Sequence, residues 1–533
     1  MSKLTAPLHN IFSHRKNSAT PSADVTPASS DVQQNYGGAK AGEVAEADAI
    51  LRPGELSFDE DTAGGLGRHL GLWSTTFLII GRIIGTGIFS TPASITGSVG
   101  SVGAALMLWV LGLLLSFSGL LVWLEFGCMF PRSGGEKVYL EAVYQRPKFL
   151  ATVIFSTQAI LLGFTASGCI VFASNIWVAA GLVASPWQQR GVAIGVLVVV
   201  TAVHTFTPKL GVWSMNALSS LKIIILVFII VSGWVVLSGR IDSIPDPNAS
   251  FRNAFAGSVH SSGPYATALF KVLNSYVGWS NAAYVLNEVR RPVHTLKIAG
   301  PLGLGICGVL YLLANVAYFA AATPKEISDP ARHIRLCCSN ALGNVLTITF
   351  AQSRVNQELA KEGVIPFPRF WASNWPVGSP SAGLLLHFIP SLIVIVAFPA
   401  GTAYIFILDV EGYPSAVINL FVVVGLFILR WKAPNVPRPF KPWLIVPLFF
   451  MAGQCFLLVA PFLRPPGGIG DTPPIPYWVY PIVGIAILLL GVVYWAVWRV
   501  LIPYVGGFEW VERKETLSDG TVYTKFVKGD KSL

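Results

Sequence analysis

Twelve apolar stretches, separated by short connectors rich in Pro, Gly and basic residues, fill the chain from Leu72 onward. They begin at Leu72, Val102, Phe149, Gly191, Val212, Gly263, Leu296, Asn340, Ala382, Thr402, Trp443 and Tyr477. A helix needs about 20 mainly apolar residues to cross the hydrocarbon core of a bilayer. Because lipid offers no partner to a free backbone N–H or C=O, a series of such runs predicts a bundle of spanning helices. Composition points the same way: 12% of the 533 residues are charged and 53% are hydrophobic, against about 25% charged in soluble domains. An ordinary soluble enzyme is excluded. The expected fold is an all-α polytopic membrane protein whose main partner is the lipid bilayer.

The stretch 1–70 is rich in Ser, Thr, Ala, Pro, Gly and charge and has no apolar core, which predicts a disordered cytosolic tail rather than a cleaved leader. Residues 71–503 form one membrane domain, and 504–533 a second cytosolic tail. The connectors Pro131 to Gly135, Pro245 to Pro247, Pro434 to Pro439 and Arg464 to Gly470 are too short to hold a further domain.

The 37 Lys and Arg against 27 Asp and Glu give a formal charge of +10, but the basic residues recur between apolar runs instead of forming one patch, so no nucleic acid is expected. With the N-terminus inside, Arg132, Lys137, Arg146, Lys148, Arg290, Arg291, Arg354, Lys361, Arg430 and Lys432 all fall on the cytosolic side. Few basic residues face outward, and this asymmetry predicts both termini in the cytosol. The eighth run, Asn340 to Ala351, follows a polar stretch from Ala322 to Ser339 and reaches spanning length only with flanking residues drawn in. Omitting it would place Arg430, Lys432, Arg438 and Lys441 outside, against the charge rule.

The first run is interrupted by Gly81-Arg82-Ile83-Ile84-Gly85-Thr86-Gly87-Ile88-Phe89-Ser90-Thr91-Pro92. Such a break is tolerated in lipid where it lines a cavity, and the half-helix restarting near Ile88 would point free amides into it, which suits a carboxylate. Close helix packing through small residues is the competing explanation. The sixth run contains Asn274-Ser275-Tyr276-Val277-Gly278-Trp279-Ser280-Asn281, a similar interruption five runs later. Two discontinuous helices so spaced are the mark of inverted repeats that share a midplane site. Amides of one break would hold a carboxylate and carbonyls of the other an ammonium, a pairing that selects a free α-amino acid.

Lys222 stands alone in the fifth run, where it serves either as a proton relay or as a snorkelling surface residue. Arg82 either pairs with Glu125 or Asp409 or touches the substrate. Glu136 and Glu288 are expected in gate or loop ion pairs. His204 and His387 are expected as satisfied core histidines. Trp109, Trp187, Trp443, Trp478 and Tyr480 are expected as interfacial anchors. The six cysteines form neither a disulfide framework nor a zinc pattern, so no metal and no cofactor are expected.

With Gly85-Thr86-Gly87-Ile88-Phe89, Pro131-Arg132-Ser133-Gly134-Gly135-Glu136, Tyr276-Val277-Gly278-Trp279 and Arg354-Val355-Asn356-Gln357-Glu358-Leu359-Ala360-Lys361-Glu362-Gly363 in this order, the chain resembles the amino acid, polyamine and organocation superfamily. Within it the likeness is to the L-type amino-acid transporters and their fungal branch, the high-affinity methionine permease group. It runs from about Gly67 to Val527.

This resemblance implies a LeuT-like 5+5 inverted repeat of about twelve helices with helices 1 and 6 unwound. By position, Thr86, Gly87 and Ile88 would supply amides for the substrate carboxylate, with Gly85 beside them in the substrate site. Ile83, Asn274, Tyr276 and Val277 would offer carbonyls to its amino group, Ser275 and Gly278 would belong to the same substrate site, and Tyr276 and Trp279 would shape the side-chain pocket. Lys222 matches a helix 5 lysine that stands where sodium sits in other relatives, so protons rather than sodium would couple transport. The chain is thus expected to import neutral L-amino acids, methionine first, through the plasma membrane; an amino-acid sensor and a polyamine or GABA-type permease are the alternatives. The helix 1 and 6 breaks hold no carboxylate for a polyamine. Animal L-type relatives bind a heavy chain through a Cys after helix 3; Gly181 to Arg190 contains none, so no disulfide-linked partner is expected. Lys3, Lys16 and Lys40 would serve ubiquitin-ligase adaptors. Relatives also have a longer segment before Gly343-Asn344-Val345, which implies a shortened helix 8.

Overall fold

The structure, a computed structural model, describes Glu60, Asp246 and residues 67–85, 87–182, 184–240, 248–260, 262–321, 334–397, 402–463 and 475–530. The 1–70 tail with Lys3, Lys16 and Lys40, and the site residue Thr86, therefore lie outside the described residues, apart from Glu60 and the last residues before Gly71.

In chain order the first run is two helices, α1 (Leu72–Ile83) and α2 (Gly87–Val99). Then come α3 (Val102–Met129) and a short connecting helix, α4 (Glu136–Val143). The third span is also divided, into α5 (Leu150–Leu161) and α6 (Ala166–Ala179). α7 (Pro186–Phe206) and α8 (Pro208–Leu237) follow. The sixth span is α9 (Ser262–Ser275) and a 3-10 segment, Asn281–Glu288. After it come α10 (Pro292–Ala321), α11 (Ile334–Lys361), the single turn α12 (Pro368–Trp371), α13 (Ser381–Ala397), α14 (Thr402–Lys432) and α15 (Ile445–Val459). The last span, α16 (Val479–Trp495), passes through a π segment into α17 (Ile502–Gly506).

Among the described residues eight helices are long and apolar enough to cross a membrane. The other four expected spans are those whose sequence carries a reason to differ: the two broken ones, the polar α11, and the 17-residue α13. α11 has 28 residues, about 42 Å at 1.5 Å per residue. It begins before Asn340, so the polar flank completes a spanning length, and the expected shortening of helix 8 is not seen in its length.

Local signals set the helix starts. Ser101 accepts a hydrogen bond from the Ala104 amide at 3.3 Å, capping α3. Ser185 and Gln188 form a capping box ahead of Pro186, where the missing N–H of proline costs nothing.

α10 packs on α1, α3 and α8, and α11 on α6, α8 and α13, so the broken first span sits inside the bundle. Helices close up through small residues, as lipid-embedded packing requires. A Cβ on Gly233 of α8 would fall 2.2 Å from Ala317 Cβ on α10. The outer face of α8 carries exposed Trp213, Ile224 and Phe228. Trp187, Trp443 and Trp478 are exposed as anchors would be, but Trp109 is fully buried.

Within the segment after 503 the described residues include two strands. β1 (Phe508–Thr516) and β2 (Val522–Asp530) form an antiparallel hairpin with Phe508 opposite Asp530. Its turn uses Gly520 at φ +83°, a conformation glycine adopts without strain. β2 lies against α11 and α12, and Asp519 accepts hydrogen bonds from the Asn374 amide at 2.7 Å and Ser373 Oγ at 3.1 Å. Residues 508–530 thus add a docked β-hairpin to an otherwise helical set of described residues.

Candidate functional site

Two broken spans meet at the centre of the bundle. α1 ends when the Gly85 amide turns back to the Ile83 carbonyl at 2.8 Å, and α2 restarts at Gly87. α9 ends at Ser275, and Gly278 at φ +127° carries the chain into the 3-10 segment. The breaks touch at two glycines. A Cβ on Gly87 would lie 2.7 Å from Ser275 Oγ and 3.2 Å from Ser275 Cα, and one on Gly278 would lie 2.3 Å from Arg82 Cγ. Outside the breaks the same spans are joined again, where the Leu70 amide donates to the Glu288 carbonyl at 2.9 Å and the Arg290 amide to the Leu70 carbonyl at 2.8 Å.

A cavity of about 520 Å³ opens at this crossing. Ile83, Gly85, Gly87, Asn274, Ser275, Val277, Gly278 and Trp279 line it. The first amides of α2 have no partner within their helix and stand beside the cavity, an arrangement that accepts an anion. Among the described residues no backbone donor reaches the carbonyls of Tyr276 and Val277, which suits a cation. The Ile83 carbonyl differs: it already accepts from the Gly85 amide and from Tyr311 Oη at 2.7 Å. Ile88 and Tyr276 are not on the cavity wall. Tyr276 is fully buried, edge-on to Trp109 with ring centroids 5.7 Å apart and tilted on Tyr311 at 5.2 Å. Trp109 therefore props the break from α3 instead of anchoring at an interface. Trp279 stands on the wall with its ring edge-on to Trp123 at 5.0 Å and to Phe450 at 6.2 Å.

Lys222 is fully buried at the end of α1 and donates to the Gly81 carbonyl at 2.7 Å and the Ile84 carbonyl at 2.6 Å. It thus satisfies the last turn of α1 and does not snorkel. Glycine makes room for it: a Cβ on Gly343 of α11 would meet Lys222 Cε at 2.7 Å.

Arg82 lines the cavity and donates to Asn344 Oδ1 at 3.3 Å. Glu125, one of its expected partners, is held instead by Arg430, with Nε at 3.0 Å, and by Arg438 at 3.3 Å. The side chain of Asp409, the other, lies outside the described residues.

Glu288 accepts from Arg354 at 2.8 Å and faces His69 at 3.5 Å, an ion-pair cluster that ties the 3-10 segment to α11. Glu136 is not an ion pair among the described residues. Its Oε1 accepts from Trp123 Nε1 at 3.0 Å and Tyr284 Oη at 3.1 Å, while Oε2 is buried and meets no hydrogen-bond donor within normal distance among the described residues. Burial pushes this carboxyl up to about 7 against the hydrogen bonds that favour its ionised form. The basic ion pair of the same connection joins Lys137 to Glu362. His204 Nε2 lies 3.1 Å from the Leu346 carbonyl and His387 Nδ1 2.6 Å from the Gly163 carbonyl.

Three groups at the site escaped the sequence reading. Lys271 and Glu411 line the cavity, and Tyr311 braces both breaks, its hydroxyl lying 3.3 Å from the Ser275 carbonyl as well. The signal for the first two was present, since an ionisable residue inside an apolar run is a functional candidate by default. A lone tyrosine in α10 carries no such mark. Carboxylates therefore do face the cavity, although the two breaks contain none.

A family profile described as "Amino acid permease" matches residues 70–338 and 334–488, two pieces that meet at the start of α11. The chain is 35% identical over 486 residues to the high-affinity methionine permease of Saccharomyces cerevisiae, covering 86% of this chain and 84% of that protein. It is 30% identical over 547 residues to the low-affinity methionine permease of the same yeast, covering 96% and 97%. Against the mouse b(0,+)-type amino acid transporter 1 it is 26% identical over 426 residues, or 75% and 84%. A polytopic helical bundle with two broken spans at one cavity, and matches of this extent, lead to one conclusion: the chain belongs to the amino acid permease family.

Proposed function

We propose that this permease imports neutral L-amino acids, with methionine as its principal substrate, across the plasma membrane and in company with a proton. The observation that carries the reading is the crossing of the two breaks at one cavity, with Gly87 at the start of α2 and the Val277 carbonyl, which no backbone donor among the described residues reaches, both beside it. In this reading Gly87, with Thr86 between Gly85 and Gly87, holds the substrate carboxylate, and Asn274 and Val277 hold its ammonium, while Ile88 and Tyr276 pack behind the wall. Trp279 and Phe450 receive the side chain. The two yeast methionine permeases among its relatives support methionine as the substrate.

Lys222 supports sodium-independent coupling, because its ammonium already supplies a positive charge to the Gly81 and Ile84 carbonyls. Both termini are assigned to the cytosol. Arg290, Arg354, Lys137 and the C-terminal hairpin gather at one end of the bundle, which agrees with the charge asymmetry. Ubiquitin-ligase adaptors acting on Lys3, Lys16 and Lys40 complete the proposal.

A polyamine permease is the second reading, favoured by Glu411 on the wall. Uptake of labelled methionine at pH 5 and pH 7.5, in cells lacking their own permeases and competed with amino acids and polyamines, separates the two. Saturable methionine uptake stronger at pH 5 is expected; competition by spermidine but not by neutral amino acids would replace the first reading with the second. Binding of methionine to the purified protein without uptake would leave a sensor.

A further inference from the structure

The first span, from Leu72 to Val99, contains a single charged residue, Arg82, and it faces the cavity. Backbone and amide contacts fix it there. Its stem is wedged against Gly278, and its guanidinium donates to Asn344 Oδ1 at 3.3 Å. Glu411, on α14, lines the same cavity, and among the described residues no hydrogen-bond donor meets its carboxylate. Among the described residues the two form no contact ion pair, but they bring opposite ionisable groups to the wall of one cavity. The other ionisable groups on the wall differ in placement. Glu136 is tied to Trp123 and Tyr284, and Lys271 sits one turn before Ser275 with interactions of its own.

We propose that Arg82 and Glu411 are the substrate-charge filter of this permease, each cancelling the other's field across the space where the substrate side chain lies. An uncharged side chain meets no net field. A cationic one is repelled by Arg82 and finds Glu411 already compensated, and an anionic one is repelled by Glu411 and finds Arg82 compensated. In a cavity walled by protein and lipid such fields are weakly screened, so removing one partner exposes the other as a binding group for the opposite charge. The inference rests on the amino-acid transport reading and adds what sets the charge of the side chain that is accepted.

The test uses the full-length protein, both in cells, by competition against labelled methionine, and purified in detergent, by ligand-induced thermal stabilisation. Methionine, lysine and glutamate are the probes. Arg82→Gln is expected to improve lysine at least tenfold relative to methionine, Glu411→Gln to improve glutamate at least tenfold, and the double variant to show neither gain. If either variant is folded and keeps the wild-type order of the three ligands, the proposal is overturned. If both fail to reach the surface and cannot be purified, the pair is structural and the proposal falls as well. A wild-type protein that binds no neutral amino acid would sink the transport reading, whereas wild-type methionine binding with unchanged variants would sink the filter alone.

Discussion

The ammonium of Lys222 lies 2.6 Å from the carbonyl oxygen of Ile84, the residue at which α1 stops. A second bond, 2.7 Å to the Gly81 carbonyl, makes the lysine the cap of a helix that ends inside a membrane. Without it two carbonyls would be stranded in a buried site, at about 1–3 kcal/mol each. Lys222→Met should therefore lower the melting temperature by several degrees and cut methionine uptake at least tenfold. If the lysine also carries the coupling proton, residual uptake should lose its pH dependence. A variant with wild-type stability would remove the capping role, and a preserved pH profile would remove the coupling role.

Gly87 has no space for a side chain, since a Cβ would come within 3.2 Å of the Ser275 backbone. Gly87→Val should push the two breaks apart and reduce methionine binding more than a hundredfold while leaving the protein at the cell surface. Normal binding in this variant would mean that the substrate lies elsewhere.

Tyr311 fastens the end of α1 to α10 through its 2.7 Å bond to the Ile83 carbonyl. Tyr311→Phe removes that donor with little change in shape. Stability should fall by about 1 kcal/mol and methionine affinity by several-fold, measured by thermal unfolding with and without ligand. An unchanged affinity would confine Tyr311 to structure.

Glu136 has its carboxyl raised from the ordinary range to about 7 by burial. A raised carboxyl favours the fold when protonated, so its contribution is full below the unfolded value near 4.5 and is lost as pH rises through 7. The wild-type protein should lose roughly 3 kcal/mol relative to Glu136→Gln between these limits. Thermal unfolding of both proteins from pH 4.5 to pH 8 checks this; parallel curves would contradict it.

Asp519 gains from the opposite balance. Burial raises its carboxyl, but the amides of Thr521 and Asn374 and the hydroxyl of Ser373 outweigh this and hold it below its usual range. Its contribution to docking is therefore present at neutral pH and lost as pH falls through the carboxylate range. Asp519→Ala should make the 508–530 hairpin several-fold more sensitive to protease at neutral pH. Cleavage at the wild-type rate would show that β2 docks without this turn.

The number of spans, the two breaks and the class of ligand they suit were legible in the sequence, because each depends on short-range patterns read by lipid itself. Twenty apolar residues in a row must become a helix in a bilayer, and Gly85-Thr86-Gly87 or Val277-Gly278 must interrupt one. The residues supplied from other helices were not legible. Tyr311 meets Ile83 across 228 positions of chain and Arg82 meets Asn344 across 262. Glu411, four spans after the second break, reaches the cavity only when α14 closes its wall. The same holds for what the packing withdrew: Tyr276 turned to Trp109 instead of the cavity, and Glu125 went to Arg430 instead of Arg82. Sequence by itself determined where the backbone opens and in what solvent, since these are local properties of hydropathy and backbone freedom. Only the tertiary structure decided which side chains face the opening, because that depends on helix rotation and distance, and no single stretch of sequence contains either.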